Sequence, residues 1–235
     1  MKKTILISLC FLSLLNLVYA WAWDTHQMFV EKVYDSMPLE LQDKLNLSLI
    51  KEGAIAPDKD FHDNVWHHYP PSYNLSLKWL DFDCHNECNY TDASYGFGVA
   101  VHYISDSFVA PHNIKKENWK LHSEFEKQGN KYVSKVKCND YNLDLKKNLE
   151  IGSENSKDWG EWILNKDENI VYREIDQAMM LVYSTAFDKF DFKCAKLTKI
   201  EFMKGYFTKR NFIIGIIFLG VIILTLYFLN KRFKY

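Results

Sequence analysis

His102 and Asp106 stand four residues apart in an apolar stretch, so on a helix both side chains project from one face. His112 follows just past Pro111, and His122 with Glu126 repeats the i, i+4 pairing of imidazole and carboxylate on the next amphipathic stretch. Either pair alone would be an ordinary contact on a helix surface. Two such arms with His112 between them offer the nitrogen and oxygen donors that divalent zinc takes. Upstream, Ala56-Pro57-Asp58 supplies a carboxylate, and His67-His68-Tyr69-Pro70-Pro71 supplies imidazoles. Further back lies Trp21-Ala-Trp-Asp-Thr-His26. If proteolysis frees Trp21, its α-amine and carbonyl oxygen can chelate a metal in a five-membered ring. His62 and His85 complete the eight histidines.

The elements that must position these residues read as helices. Apolar residues recur at helical spacing over 27–36 and 39–50, until Gly53 and Pro57 break the pattern. The stretch 92–109 is apolar and ends before Pro111. Residues 118–136 are amphipathic. The longest helix is expected over 168–190, with Ile170, Val171, Ile175, Met179, Val182, Ala186 and Phe187 marking one face. Residues 51–91 read as Pro-rich and aromatic loops, and alternating strand patterns are scarce. The fold class expected is all-α.

Composition bounds the rest. In 235 residues, 48% are hydrophobic and 16% aromatic, with only 9 Gly and 5 Pro, which excludes a disordered or collagenous chain. The formal charge of -1 averages unlike pieces. Five of the 29 basic residues lie in 1–20 and 212–235, where no acid lies, so the stretch between them carries a net charge of -6. An acidic body is a poor electrostatic partner for nucleic acid.

Both ends read as addresses. Residues 1–20 have the charged start, apolar middle and small-residue cleavage site of a signal peptide, with a second cut open before Trp23. Phe212–Leu229 is an unbroken apolar run of 18 residues, at the lower limit for a spanning helix, and Lys231, Arg232 and Lys234 follow it. The expected division is a signal peptide over 1–20, a helical catalytic domain over 21–196, a connector over 197–211, a transmembrane helix over 212–229 and a cytoplasmic tail over 230–235. That places the body outside the cell, held by a single pass through the membrane. Export also governs the cysteines. Loss of Cys10 with the signal leaves Cys84, Cys88, Cys138 and Cys194, enough for two disulfides with three connectivities open. Cys84–Cys88 with Cys138–Cys194 is the favoured pairing.

Taken in order, Trp21, His26, Asp58, His67-His68-Tyr69, His102-x3-Asp106-x5-His112 and His122-x3-Glu126 make the sequence recognisable. It resembles the zinc-dependent phospholipase C family and the related zinc-dependent single-strand nucleases. These are all-helical exported enzymes that begin at a tryptophan and bind three zinc ions. H-x3-D-x5-H is the most specific element, and the resemblance spans residues 21–126. It implies one zinc held by Asp58, His67, His102 and Asp106, and a second held by the Trp21 amine and carbonyl, His26 and Asp106. His112, His122 and Glu126 would hold the third. Tyr69, two positions on, favours His67 over His68. Asp58 would also orient or deprotonate the attacking water.

The implied activity is hydrolysis of a glycerophospholipid to diacylglycerol and a phosphorylated headgroup. The expected partners are phospholipid and, through the C-terminal helix, the membrane; no protein partner is inferred. The H-x3-E variant resembles the lipase branch, whereas the Trp21-to-His26 spacing resembles the nuclease branch. A single-strand nuclease and a non-catalytic, zinc-stabilised surface module are the other readings.

Overall fold

The computed structural model describes residues 22–63, 65–84, 88–115, 118–139 and 141–194. The expected signal peptide, Trp21, the connector, the transmembrane segment and the tail lie outside the described residues. Among the described residues there is no strand, and no helix is long and apolar enough to cross a membrane.

Ten α-helices are described: α1 (Ala22–Asp35), α2 (Leu39–Gln42), α3 (Leu47–Gly53), α4 (Ala56–Lys59), α5 (Pro71–Trp79), α6 (Tyr90–Asp106), α7 (Trp119–Gly129), α8 (Leu145–Ser153), α9 (Trp159–Asn165) and α10 (Glu168–Phe190). Two 3₁₀ turns, Ala110–Asn113 and Glu154–Asp158, link them. Short polar side chains start many of these helices. Asn46, Asn89 and Asn118 each accept two backbone N–H groups of the first turn, and Asp144 and Asp167 each accept one. Such caps satisfy donors a helix cannot pair internally, at about 1 kcal/mol each.

α6 and α10 form the interior. α6 is buried from Gly96 through Asp106, and α10 contributes Ile170, Val171, Ile175, Ala178, Met179, Val182 and Ala186 to the same apolar cluster. Burying each large side chain of that cluster contributes roughly 1.5–3 kcal/mol. Around this pair the remaining helices lay their apolar faces inward. Phe125 of α7 meets Trp159 and Trp162 of α9, with ring centroids 5.8 and 5.0 Å away. Cys84–Cys88 and Cys138–Cys194 are bonded, the favoured pairing.

Several boundaries differ from those expected. The run 39–50 is two helices, because Asn46 turns its side chain back to cap α3. The stretch 118–136 stops at Gly129, beyond which Tyr132 stacks on Tyr172 at 4.2 Å and Ser134 bonds Asp176 at 2.6 Å. Within 51–91, taken as loops, α5 starts at Pro71. Proline breaks a helix interior but suits a first turn, where its missing N–H costs nothing.

Candidate metal centre

α6 ends inside the protein, and its last turn delivers His102 and Asp106, both buried. The position of that turn depends on a tight crossing with α3. A Cβ on Gly98 would lie 2.1 Å from the Ile50 carbonyl oxygen, and one on Gly53 would lie 2.2 Å from that of Tyr95, so only glycine lets the backbones meet. At this separation the Ala54 carbonyl lies 2.9 Å from His102 Nδ1. A carbonyl only accepts, so Nδ1–H donates to it and Nε2 points inward. There it faces Asp106 Oδ2 at 3.3 Å and Asp58 Oδ1 at 3.5 Å.

His26, in the second turn of α1, is set by the same logic. Its Nδ1 lies 2.8 Å from Ser105 Oγ, whose hydroxyl donates back to the carbonyls of Val101 and His102 at 2.8 and 3.0 Å. The hydroxyl oxygen therefore accepts from Nδ1–H, and His26 Nε2 faces Asp106 Oδ1 at 3.2 Å. His67, from the loop before α5, sits with Nδ1 2.6 Å from Asp106 Oδ2 and Nε2 3.8 Å from Asp58 Oδ1. α4, opened by Pro57, holds Asp58 opposite.

The second arm follows a fastened turn. Asn113 Nδ2 donates to the carbonyls of Ser107 and Val109, Asn155 Nδ2 donates to that of Phe108, and Glu174 Oε2 accepts the Ala110 N–H at 3.0 Å. This fixes the 3₁₀ turn so that His112 Nε2 lies 3.7 Å from Asp106 Oδ2 and 3.6 Å from Glu126 Oε1. On α7, His122 Nε2 lies 2.7 Å from the same Glu126 oxygen.

Burial alone would favour neutral carboxyls here, but the imidazoles win. Against that desolvation, His26, His102 and His112 hold Asp106 well below the usual carboxylate range. Glu126 is likewise lowered through His112 and His122, and Asp58 chiefly through His102. His67 is pulled down by burial yet pushed up to about 9 by the hydrogen bond and charge of Asp106, with Asp58 and Asp63 adding to it.

These residues fit a cation. His67 Nε2, His102 Nε2 and Glu126 Oε2 are buried with no hydrogen-bond partner, although they lie among groups of opposite kind. His102 Nε2 faces two carboxylates without a hydrogen bond to either, a gap that a cation between them would fill. Nitrogen and oxygen donors converge in four groups: His26, His102 and Asp106; Asp58, His67 and His102; His67, Asp106 and His112; and His112, His122 and Glu126. Their ligand atoms lie within 4.8 Å of one another, the mixed imidazole and carboxylate set that suits zinc.

The structure thus brings together every expected residue except Trp21, which lies outside the described residues. His67 joins the cluster; His68 is half-exposed and belongs to none of the four groups. Sequence reasoning missed the orienting groups Ser105 and the Ala54 carbonyl. Serine beside a ligand is a common neighbour, and a backbone carbonyl leaves no mark in a sequence.

An all-helical body brings five imidazoles and three carboxylates together in a set that suits zinc. The family model for zinc-dependent phospholipase C matches residues 25–189, and the chain belongs to that family. No curated protein and no solved structure matches the chain.

Proposed function

We propose that this protein is an exported, membrane-anchored phosphoric diester hydrolase, a phospholipase C that cleaves glycerophospholipid to diacylglycerol and a phosphorylated headgroup. The observation that carries the reading is Asp106. One of its oxygens faces His26 and the other faces His67, His102 and His112, the disposition a carboxylate needs to serve two ions at once. Two disulfides and the apolar segments at both ends support export and anchoring.

Three zinc ions are proposed. Asp58, His67, His102 and Asp106 would hold one; His26 and Asp106, with the Trp21 amine and carbonyl, a second; and His112, His122 and Glu126 the third. Bound zinc would supply a water acidified towards neutrality and positive charge beside the phosphate. The chain's own part is positional. The Ala54 carbonyl and Ser105 hold Nδ1 of His102 and His26, so that Nε2 of each faces inward. Asp58 reaches solvent, its side chain 26% exposed, so its carboxylate can take a proton from water as the water oxygen bonds to phosphorus. The bond from phosphorus to the glycerol oxygen breaks, that oxygen takes a proton from solvent water and leaves as diacylglycerol, and Asp58 returns its proton to solvent.

The test is to assay the full chain on phosphatidylcholine vesicles and on single-stranded DNA, each with and without chelator. Chelator-sensitive release of diacylglycerol is expected. Chelator-sensitive release of nucleotides, or zinc binding without turnover of either substrate, overturns the reading.

A further inference from the structure

Asp58, His67 and His102 form one of the convergent groups, and three separate segments supply them. Asp58 sits on α4, a single turn, and His102 sits on the core helix α6. His67 comes from a stretch in which no helix is described, since α4 ends at Lys59 and α5 starts at Pro71. A helix orients its side chains through its own ladder of hydrogen bonds, which an irregular segment lacks. Yet His67 is buried, with Nδ1 2.6 Å from Asp106 Oδ2. A working ligand set must hold its geometry to about 0.5 Å, so this stretch has to be fastened from outside the set.

Asp63 meets all three segments. Its backbone N–H donates to the Pro57 carbonyl at 2.9 Å, one residue before Asp58. Its Oδ2 accepts the Tyr103 hydroxyl at 2.9 Å, one residue after His102. Its Oδ1 accepts the N–H groups of Val65 and Trp66, both at 3.1 Å, and Trp66 directly precedes His67. Each segment is thus held at the immediate chain neighbour of a ligand. The anchor is firm, because Tyr103 is buried and packs with Ala56 of α4 and Val99 of α6. Beyond His67, the Ser72 N–H of α5 donates to the His68 carbonyl at 3.1 Å, so the imidazole is held from both sides. A carboxylate brings two acceptor oxygens and no donor, which lets one residue serve a hydroxyl and two amides together.

We infer that Asp63, anchored by Tyr103, is a positioning residue for Asp58, His67 and His102. It fixes α4, the stretch before His67 and α6 in the one arrangement that brings their donor atoms together. The inference rests on the proposal that these three residues hold zinc, and not on which phosphodiester is cleaved.

The test strips the full chain with chelator, titrates it with zinc and counts bound metal at each free concentration. Asp63→Ala removes both side-chain ties and should weaken one zinc about 10- to 100-fold, as loss of an orienting partner does, while the least affected ion keeps its affinity. Asp63→Asn retains an acceptor for the two amides and offers an N–H to the Tyr103 oxygen. Its affinity should lie nearer the parent's than that of Asp63→Ala. Equal losses in these two variants, no loss in Asp63→Ala, or a uniform loss for every ion overturns the inference. Should Asp63→Ala fail to fold, Tyr103→Phe decides: it cuts only the tie to α6 and should weaken the same single zinc, and unchanged affinity overturns the inference. Cobalt(II) in place of zinc gives a second readout, since its visible bands report ligand geometry. They should change in Asp63→Ala and match the parent in Asp63→Asn; identical bands in all three overturn the assignment. A parent chain that binds zinc but cleaves no phosphatidylcholine removes the phospholipase reading and leaves this test intact, whereas one that takes up no zinc overturns both.

Discussion

His102 Nδ1 and the Ala54 carbonyl oxygen, 48 residues apart in the chain, are joined by a 2.9 Å hydrogen bond across the α3–α6 crossing. One turn before His102 lies Gly98, where the two backbones touch. Packing and ligand orientation are thereby one problem: anything that widens the crossing also frees the ring.

A methyl group at Gly98 would lie 2.1 Å from Ile50 O and 2.8 Å from the Ala54 N–H nitrogen. Gly98→Ala is therefore expected to destabilise the protein by about 1–3 kcal/mol, the usual cost of overpacking. It should also weaken zinc affinity about 10- to 100-fold, as loss of an orienting partner does. Thermal melts with and without zinc, together with metal titration, measure the two effects. Gly160→Ala is the control, since nothing lies within 4 Å of a Cβ there, and it should leave zinc affinity unchanged.

Asp106 faces four imidazoles from two oxygens. Asp106→Asn keeps the shape and removes the charge. Metal analysis of the purified variant should show more than one zinc lost per chain, with phosphodiesterase activity abolished. Loss of a single ion would argue against a shared carboxylate.

How much of this was legible in the residues varies with the range of the interaction. α10 was readable end to end, because 23 residues of one amphipathic period leave little ambiguity. Its match to 168–190 is complete. His102, Asp106, His122 and Glu126 were readable as pairs, since helical spacing alone puts each pair on one face. α8 and α9 were not: Leu149, Trp159 and Trp162 are buried only because α7 and α10 come to them. The choice of His67 over His68 turned on one residue of register in a loop, on which periodicity is silent; in the structure His67 joins the cluster and His68 does not.

Glu174 is buried, with Oε2 on the Ala110 N–H and Oε1 without a hydrogen-bond partner. Burial pushes its carboxyl well above the ordinary value of 4.5, and the Ala110 bond only partly offsets this. A raised acid favours the folded state least where the unfolded chain is ionised. Its contribution is therefore neutral below pH 4.5 and turns destabilising as pH rises above that value. Glu174→Gln retains an acceptor for Ala110 and cannot ionise. Its melting temperature should exceed that of the parent at pH 8, by the equivalent of about 1–3 kcal/mol, and converge with it at pH 4. A constant gap across that range would refute the assignment.

The two disulfides close loops of very different span, with separations of 56 for Cys138–Cys194 and 4 for Cys84–Cys88. Loop-closure entropy makes the first worth about 4 kcal/mol and the second about 2 kcal/mol. Urea midpoints of Cys138→Ser/Cys194→Ser and Cys84→Ser/Cys88→Ser should fall in that order. Equal falls would mean that native-state contacts, not chain entropy, set the difference.

His26, His102 and Asp106 are sealed among the described residues, whereas His112 and Asp58 touch solvent. Depth of this kind imposes an itinerary on any ion that leaves or arrives. A competing ligand strips the outer positions while the innermost one waits for its neighbours to depart, so demetallation should proceed in kinetically separate stages.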